Sequence, residues 1–273
     1  MDAWWPRRRG LSCQRGIGVY RFLSAALTVA GSKNGLVMLR CVNLNPPLLA
    51  HLDNDLLVHL DRDLLVVDKP AGWLTVPGRG ADKADCLAAR VVAIWPDALV
   101  VHRLDMATSG LVLFGRGAGM QRALSMAFEA RSVHKRYVAV VAGCMTQASG
   151  EIDLPLSADW PNRPRQIVDP LDGKPSLTHW RVLARDHQAG TTRLQLTPVT
   201  GRTHQLRVHL AAIGHPILGD ALYAPADWAA AAPRLLLHAE VLALQRPAAG
   251  LSADQATGLP GRHALHFESA AAF

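Results

Sequence analysis

The sequence predicts an α+β domain built on a mixed sheet. Short aliphatic and β-branched runs recur along the chain and have the length of strands, whereas few segments show the spacing of a helix with one apolar face. These strand-like and helical segments do not alternate regularly, which argues against a doubly wound parallel sheet. We therefore expect many strands and few helices in one mixed sheet.

The individual elements follow from local spacing. Aliphatic runs bounded by turn residues predict strands, and apolar residues three and four positions apart predict helices. The predicted strands cover residues 64–68, 98–101, 111–114, 137–142, 177–183, 193–197 and 235–242. The predicted helices cover residues 84–95, 120–128 and 203–213. For the last helix we predict Thr203 as the N-cap and Gly214 with Pro216 as the end.

The formal charge is +7 at pH 7, but it is unevenly distributed. Residues 1–40 hold seven basic residues against Asp2 alone, so the rest of the chain is nearly neutral. We interpret residues 1–55 as a basic, flexible extension and residues 56–273 as the folded domain. Two alternatives remain open. Translation could start at Met38, so that the assigned start lies too far upstream, or part of the extension could be a targeting sequence.

Local charge is more informative than total charge. Residues 100–140 hold six basic residues against two acidic ones, and residues 160–215 hold eight against three. Such clusters favour a nucleic-acid partner, although solvated basic surfaces would look the same.

Several classes of function are disfavoured. The four cysteines include no Cys-x-x-Cys pair, which predicts reduced thiols and a cytoplasmic protein. Residues 22–39 are too interrupted by glycine and lysine to span a bilayer. His204, His209 and His215 lack the spacing of a helical zinc site, and no Gly-x-Ser-x-Gly elbow surrounds Ser109. We expect no metal, no cofactor and no membrane partner, and, without a coiled-coil seam, a monomer.

The predicted centre of chemistry is the polar turn that runs from His102 to Gly110, His-Arg-Leu-Asp-Met-Ala-Thr-Ser-Gly, between two predicted strands. It places the Asp105 carboxylate beside the guanidinium of Arg103 and an imidazole. A carboxylate held rigidly on a loop is a candidate nucleophile or base.

This turn resembles the His-Arg-Leu-Asp-x-x-Thr-Ser-Gly signature of the RluA family of pseudouridine synthases. Residues 65–72, 135–139 and 201–209 resemble three further motifs of that family, so the resemblance extends over roughly residues 56–244. Residues 153–164 are most similar to the RluA subgroup, whose members modify 23S ribosomal RNA and the anticodon loop of certain tRNAs. The extension does not resemble the S4 RNA-binding domain of larger members.

The resemblance implies the pseudouridine synthase fold, a mixed, largely antiparallel sheet with flanking helices and a central basic cleft. It implies an isomerase that acts on structured RNA, with Asp105 as the catalytic carboxylate. A carboxylate in a closed pocket needs a fixed cation to stay ionised, and the resemblance assigns Arg207 to that ion pair. It assigns Tyr137 to stacking against the flipped uridine or to proton transfer at C5. The sequence leaves open whether Asp105 adds to the base, attacks the sugar or deprotonates it.

The remaining candidates lie on the substrate side. By analogy, Arg103 enters the space that the flipped base leaves. Leu206 and His102 are also expected on the substrate-binding side, and for His102 we expect a mainly structural role in the turn. Phosphate contacts are expected from Arg116, Arg122, Arg131, Lys135, Arg136, Arg163 and Arg165. The alternative function is a non-catalytic RNA-binding or RNA-chaperone protein with the same fold.

Overall fold

The computed structural model describes residues 52–80, 83–247 and 264–273. The extension predicted at residues 1–55 lies almost entirely outside the described residues. The strands are β1 (Leu57–Leu60), β2 (Leu64–Lys69), β3 (Ala98–Val100), β4 (Ser109–Arg116), β5 (His134–Ala142), β6 (Ser149–Asp153), β7 (Leu156–Ala158), β8 (Gln166–Val168), β9 (Leu177–Asp186), β10 (Thr191–Pro198), β11 (Leu237–Gln245) and β12 (Ala264–Glu268). The α-helices are α1 (Leu87–Ile94), α2 (Gly117–Glu129), α3 (Gln205–Ala212) and α4 (Ala226–Ala230).

Ten of these strands form one sheet. Its main order is β1-β2-β4-β11-β5-β10-β9-β6, with β3 paired to β4 and β12 paired to β11. Every pair in it is antiparallel except β4 with β11, and β7 and β8 form a separate hairpin. This mixed, mostly antiparallel sheet with few helices confirms the predicted α+β class.

Strand β4 is buried along almost its whole length because helices cover both of its faces. Successive side chains of a strand point to opposite faces. Val112 and Phe114 therefore belong to the core cluster that contains residues of α1, whereas Leu111 and Leu113 belong to the cluster that contains residues of α2. This two-sided burial fixes the strand that follows the predicted catalytic turn.

The other half of the sheet is covered on one face by α3. Strand β10 alternates strictly between buried and part-exposed residues, as the sequence predicts for its central part. Leu194 and Leu196 of β10 share a core cluster with Leu206 and Leu210 of α3. The helix is thus fixed against the sheet through Leu206 and Leu210, whereas Ile213, on the same predicted apolar face, is exposed.

The start of α3 differs from the prediction, and Thr203 is not its N-cap. The helix begins at Gln205, and the preceding residue, His204, has a φ of 54° in the left-handed region. The Gln205 side-chain oxygen instead accepts hydrogen bonds from the Arg202 amide at 3.0 Å and from the Thr200 hydroxyl at 2.7 Å. These hydrogen bonds fix the loop before α3, and no side chain caps the helix at His204.

Strand β11 joins the two halves of the sheet at Ala239. This residue is in register with Gly110 of β4 on one side and with Tyr137 of β5 on the other. Gly110 has a φ of 115°, and a Cβ atom there would lie 2.3 Å from the Ala239 carbonyl oxygen. Only glycine fits this approach, which sets the catalytic turn beside β11.

Candidate active site

A cavity of about 500 Å³ opens between the turn before β4, strand β5 and helix α3. Its walls include the three residues predicted to be catalytic, Asp105, Tyr137 and Arg207. The other lining residues include His102, Arg103, Arg131, Lys135, Arg202, His204 and Leu206. Segments that are up to about a hundred residues apart in the sequence therefore meet at one site.

Hydrogen bonds hold the turn on both sides of Asp105. The Thr75 hydroxyl donates to the Leu104 carbonyl at 2.8 Å and accepts from the Leu104 amide at 3.1 Å. On the other side, the Met106 carbonyl accepts from the Gly72 amide at 2.8 Å and from Lys69 Nζ at 3.2 Å. The backbone of the carboxylate residue is thus fixed, whereas its side chain, 24% exposed, faces the cavity.

Lys69 is fully buried beneath this turn. Its ammonium also donates to the carbonyls of Pro70 and Trp73, at 2.9 and 2.8 Å. Burial lowers the pKa of Lys69 to about 8, against the opposing effect of the Asp105 and Asp68 carboxylates. The lysine is therefore charged at neutral pH and joins the opening motif to the catalytic turn. The sequence indicated only a turn here.

Arg207 is 4% exposed and is shared between two carboxylates. Its Nη1 lies 3.7 Å from Asp105 Oδ2, in the predicted pairing. Its Nε and Nη2 donate to the two carboxylate oxygens of Asp220 at 2.8 and 2.6 Å. Burial opposes the charge, but Asp220 and then Asp105 outweigh it and raise the pKa of Arg207.

Arg207 contacts Asp220 and Asp105 through different nitrogens of its guanidinium group. Asp220 is 1% exposed and takes the bidentate face, so it anchors Arg207 permanently. Asp105 receives the remaining nitrogen at a longer distance. Arg207 thus places a positive charge beside Asp105 without a direct hydrogen bond to it.

Tyr137 lies at the boundary of two core clusters and also faces the cavity. Burial raises the pKa of Tyr137, and the nearby Asp105 carboxylate raises it further. The phenol is therefore protonated at neutral pH. It offers an aromatic face for stacking and a hydroxyl that can donate a hydrogen bond.

His102 has a structural position in the turn. Its Nε2 accepts a hydrogen bond from the Leu113 amide at 3.0 Å, and its ring stacks on Phe128 with centroids 4.5 Å apart. Burial, assisted by the charge of Lys135, lowers the pKa of His102 to about 3. The ring is neutral and joins the turn to β4. Arg103, by contrast, is exposed at the cavity wall.

Arg136, a predicted phosphate contact, lies outside the lining of the cavity. Its Nε and Nη2 donate to Glu240 at 2.7 Å and to Glu268 at 2.8 Å. Side chains alternate along β5, so Lys135 and Tyr137 line the cavity whereas Arg136 lies on the opposite face.

Arg163 and Arg165 lie in the loop between β7 and β8 and are exposed, outside the lining of the cavity. The Arg163 guanidinium lies 4.7 Å from the centre of the Trp160 ring, and that of Arg165 lies 5.2 Å from the centre of the Tyr223 ring. They therefore extend a basic surface beside the site.

Sequence reasoning missed Asp220, Tyr223 and the role of His204. A lone carboxylate within the apolar segment 216–222 was the available signal for Asp220, because buried charges in proteins are usually paired. His204 was considered only as a zinc ligand. Its ring instead lies between Tyr223 and Asp105.

The comparisons with known proteins identify the family of the chain. Residues 63–212 match the family model described as RNA pseudouridylate synthase. The chain belongs to this family. It is 51% identical over 180 residues to the dual-specificity RNA pseudouridine synthase RluA of Vibrio cholerae, covering 66% of this chain and 73% of the relative. It is 49% identical over 189 residues to the protein of that name from Escherichia coli K12, covering 68% and 85% of the two chains.

Solved structures of two pseudouridylate synthases have the same fold. Human RNA pseudouridylate synthase domain containing 1 is 28% identical with a TM-score of 0.61, and the match covers 74% of this chain and 81% of the human one. Human RNA pseudouridylate synthase domain containing 4 has a TM-score of 0.60 at 22% identity, over 79% and 88% of the two chains, and supports the fold alone.

As an RNA pseudouridylate synthase, the protein is an isomerase that converts uridine in RNA into pseudouridine. This confirms the predicted fold, enzyme class and RNA substrate. In the part of the chain that the structure describes, no helix has the length and apolar character needed to cross a membrane.

Proposed function

We propose that Asp105 is the carboxylate that acts on a flipped-out uridine, that Arg207 keeps it ionised and that Tyr137 stacks against the base. The observation that carries this proposal is the convergence of the three side chains, from a loop, a helix and a strand, on one cavity of about 500 Å³. Arg103 at the cavity wall is suited to occupy the position that the base leaves.

The reaction breaks the C1′–N1 bond of uridine and forms a C1′–C5 bond in its place, so the product is an isomer of the substrate. The nucleotide must leave its stack to reach Asp105, at a cost of a few kcal/mol. Stacking on Tyr137 and contacts to the base edges recover part of that cost. After the new bond forms, C5 loses a proton and N1 gains one, and the Tyr137 hydroxyl is suited to relay protons by accepting the C5 proton as it donates its own.

We propose two substrate classes, 23S ribosomal RNA and the anticodon stem-loop of tRNA. Support comes from the two bacterial relatives named as dual-specificity enzymes, at 51% and 49% identity. Arg131, Lys135 and Arg202 at the cavity provide phosphate contacts that follow RNA shape rather than sequence. We further propose a cytoplasmic monomer, consistent with the reduced thiols expected from the sequence.

Tritium release tests the catalytic assignment. Transcripts of tRNA and of 23S RNA fragments are labelled at C5 of uridine, and the enzyme is mixed with each. Wild-type protein should release label from both, Asp105→Asn from neither, and Asp227→Asn, which changes an exposed carboxylate on α4, should match wild type. Release by Asp105→Asn would refute its catalytic role.

Substrate choice is tested separately by mapping pseudouridines in RNA from a deletion strain. Loss of sites in both RNA classes supports dual specificity. Loss in one class alone would restrict the proposal to that class.

A further inference from the structure

The imidazole of His204 links the catalytic carboxylate to a tyrosine outside the predicted site. Its Nδ1 lies 2.7 Å from the Tyr223 hydroxyl, and its Nε2 lies 3.8 Å from Asp105 Oδ2. The side chain is only 10% exposed. The left-handed backbone at His204, one residue before α3, places the ring in this position.

The hydrogen-bond partners of Tyr223 determine which nitrogen of His204 carries the proton. The Gln166 amide, at the start of β8, donates to the Tyr223 oxygen at 2.8 Å. Among the described residues, His204 is the only acceptor within reach of the single hydroxyl proton. The hydroxyl therefore donates to Nδ1, and the neutral ring carries its proton on Nε2, facing Asp105.

The charges around the ring agree with a neutral imidazole. Burial lowers the pKa of His204, Arg207 and Arg103 lower it further, and Asp105 and Asp220 oppose them. His204 can thus offer an N–H group to Asp105 without adding a second positive charge beside Arg207.

We propose that His204 and Tyr223 are positioning residues that orient the Asp105 carboxylate, with Oδ2 directed towards Arg207 and His204 and Oδ1 left to meet the uridine. Arg207 Nη1 and His204 Nε2 approach the same oxygen, Oδ2, at 3.7 and 3.8 Å. The inference rests on the proposed role of Asp105. The N–H group at His204 Nε2 would be a neutral, directional donor beside the positive charge of Arg207. Tyr223 connects this imidazole to the β7–β8 hairpin through the Gln166 amide.

Two substitutions at one position test the donor. In His204→Gln the side-chain amide nitrogen can occupy the place of Nε2, whereas in His204→Asn it reaches only the place of Nδ1. Asparagine tolerates the left-handed backbone better than most residues, so a defect in His204→Asn is not caused by backbone strain. Misplacing a reacting group by about 1 Å costs up to about 10²-fold in rate.

We expect His204→Asn to lower the single-turnover rate by about 10- to 100-fold without changing the dissociation constant for the RNA stem-loop. His204→Gln should be faster than His204→Asn. Equal rates for the two variants, or a loss of RNA affinity that matches the loss of rate, would overturn the proposal.

Tyr223→Phe provides an independent variant that keeps the aromatic ring and the backbone at His204. It removes the hydroxyl that fixes the tautomer, so we expect a slower single turnover with unchanged RNA affinity, and a wild-type rate would count against the proposal.

Long-range ¹H–¹⁵N spectra of the wild-type protein should place the proton of the His204 ring on Nε2; a proton on Nδ1 would exclude the arrangement. Asp105→Asn is assayed in parallel, because activity in that variant refutes the role of Asp105 itself, whatever the His204 variants do.

Discussion

Replacing Arg207 with methionine should remove most of the turnover and leave RNA binding nearly unchanged. The guanidinium lies 3.7 Å from Asp105 Oδ2, and two unit charges at that separation attract by about 4 kcal/mol at an effective dielectric of about 20. Water reduces this value because the Asp105 side chain is 24% exposed. We expect the single-turnover rate of tritium release to fall by about 10²-fold, which corresponds to about 3 kcal/mol.

The same substitution also strips Asp220 of its partner, so stability must be separated from chemistry. Removing one partner of a buried ion pair leaves the other charge uncompensated and lowers the unfolding free energy by about 3–5 kcal/mol. The double variant Arg207→Met/Asp220→Asn removes the orphaned charge, and we expect its urea midpoint to recover while its rate does not.

Arg136→Met is the matched control, because that arginine also pairs with two carboxylates but lies away from the cavity. It should turn over like wild type. A rate that recovers together with stability in the double variant would refute the electrostatic role of Arg207, since the defect would then be one of folding.

Three further outcomes are expected. Tyr137→Phe keeps the stacking face and should bind RNA normally, but its single-turnover rate should fall by about 10²-fold; a wild-type rate would exclude the hydroxyl from proton transfer. Lys135→Ala should weaken RNA binding and reduce the slope of log affinity against log salt by about 1, whereas Arg136→Ala should leave that slope unchanged. The pKa of Lys69, about 8 when folded and 10.5 for the ordinary side chain, means that the unfolded chain binds more protons between these pH values. The unfolding free energy of wild type should therefore rise across that window, by up to about 3 kcal/mol relative to Lys69→Met, and parallel urea midpoints for the two proteins would contradict this.

The turn that carries Asp105 was predictable as a structural element, because the residues that define it are close together in the sequence. Turn residues between two aliphatic runs define a loop that is held at both ends, and the structure places Asp105 in such a loop before β4. The strands with the strongest aliphatic patterns, β2, β4 and β10, were also predicted. The short strands β1, β6, β7, β8 and β12 were missed, because three to five residues carry little periodicity and depend on their partners.

The position of Arg136 outside the cavity was predictable. If Tyr137 faces the cavity, the alternation of side chains along a strand places its neighbour on the other face, whatever its charge. Asp220 is different. Its pairing with Arg207 joins α3 to the loop that follows it, and no local sequence pattern predicts a contact between these two elements.

The contact of Ala239 with both Gly110 and Tyr137 has a consequence for the order of folding. Asp105, Tyr137, Arg207 and Asp220 all precede β11 in the chain, yet β11 lies between the strands that carry the turn and the tyrosine. During synthesis we therefore expect the site to assemble only after residues 237–245 have left the ribosome, although these four side chains have already been made. Pairing across such a long sequence separation is slow, so we expect the insertion of β11 to set the time at which the nascent chain gains activity.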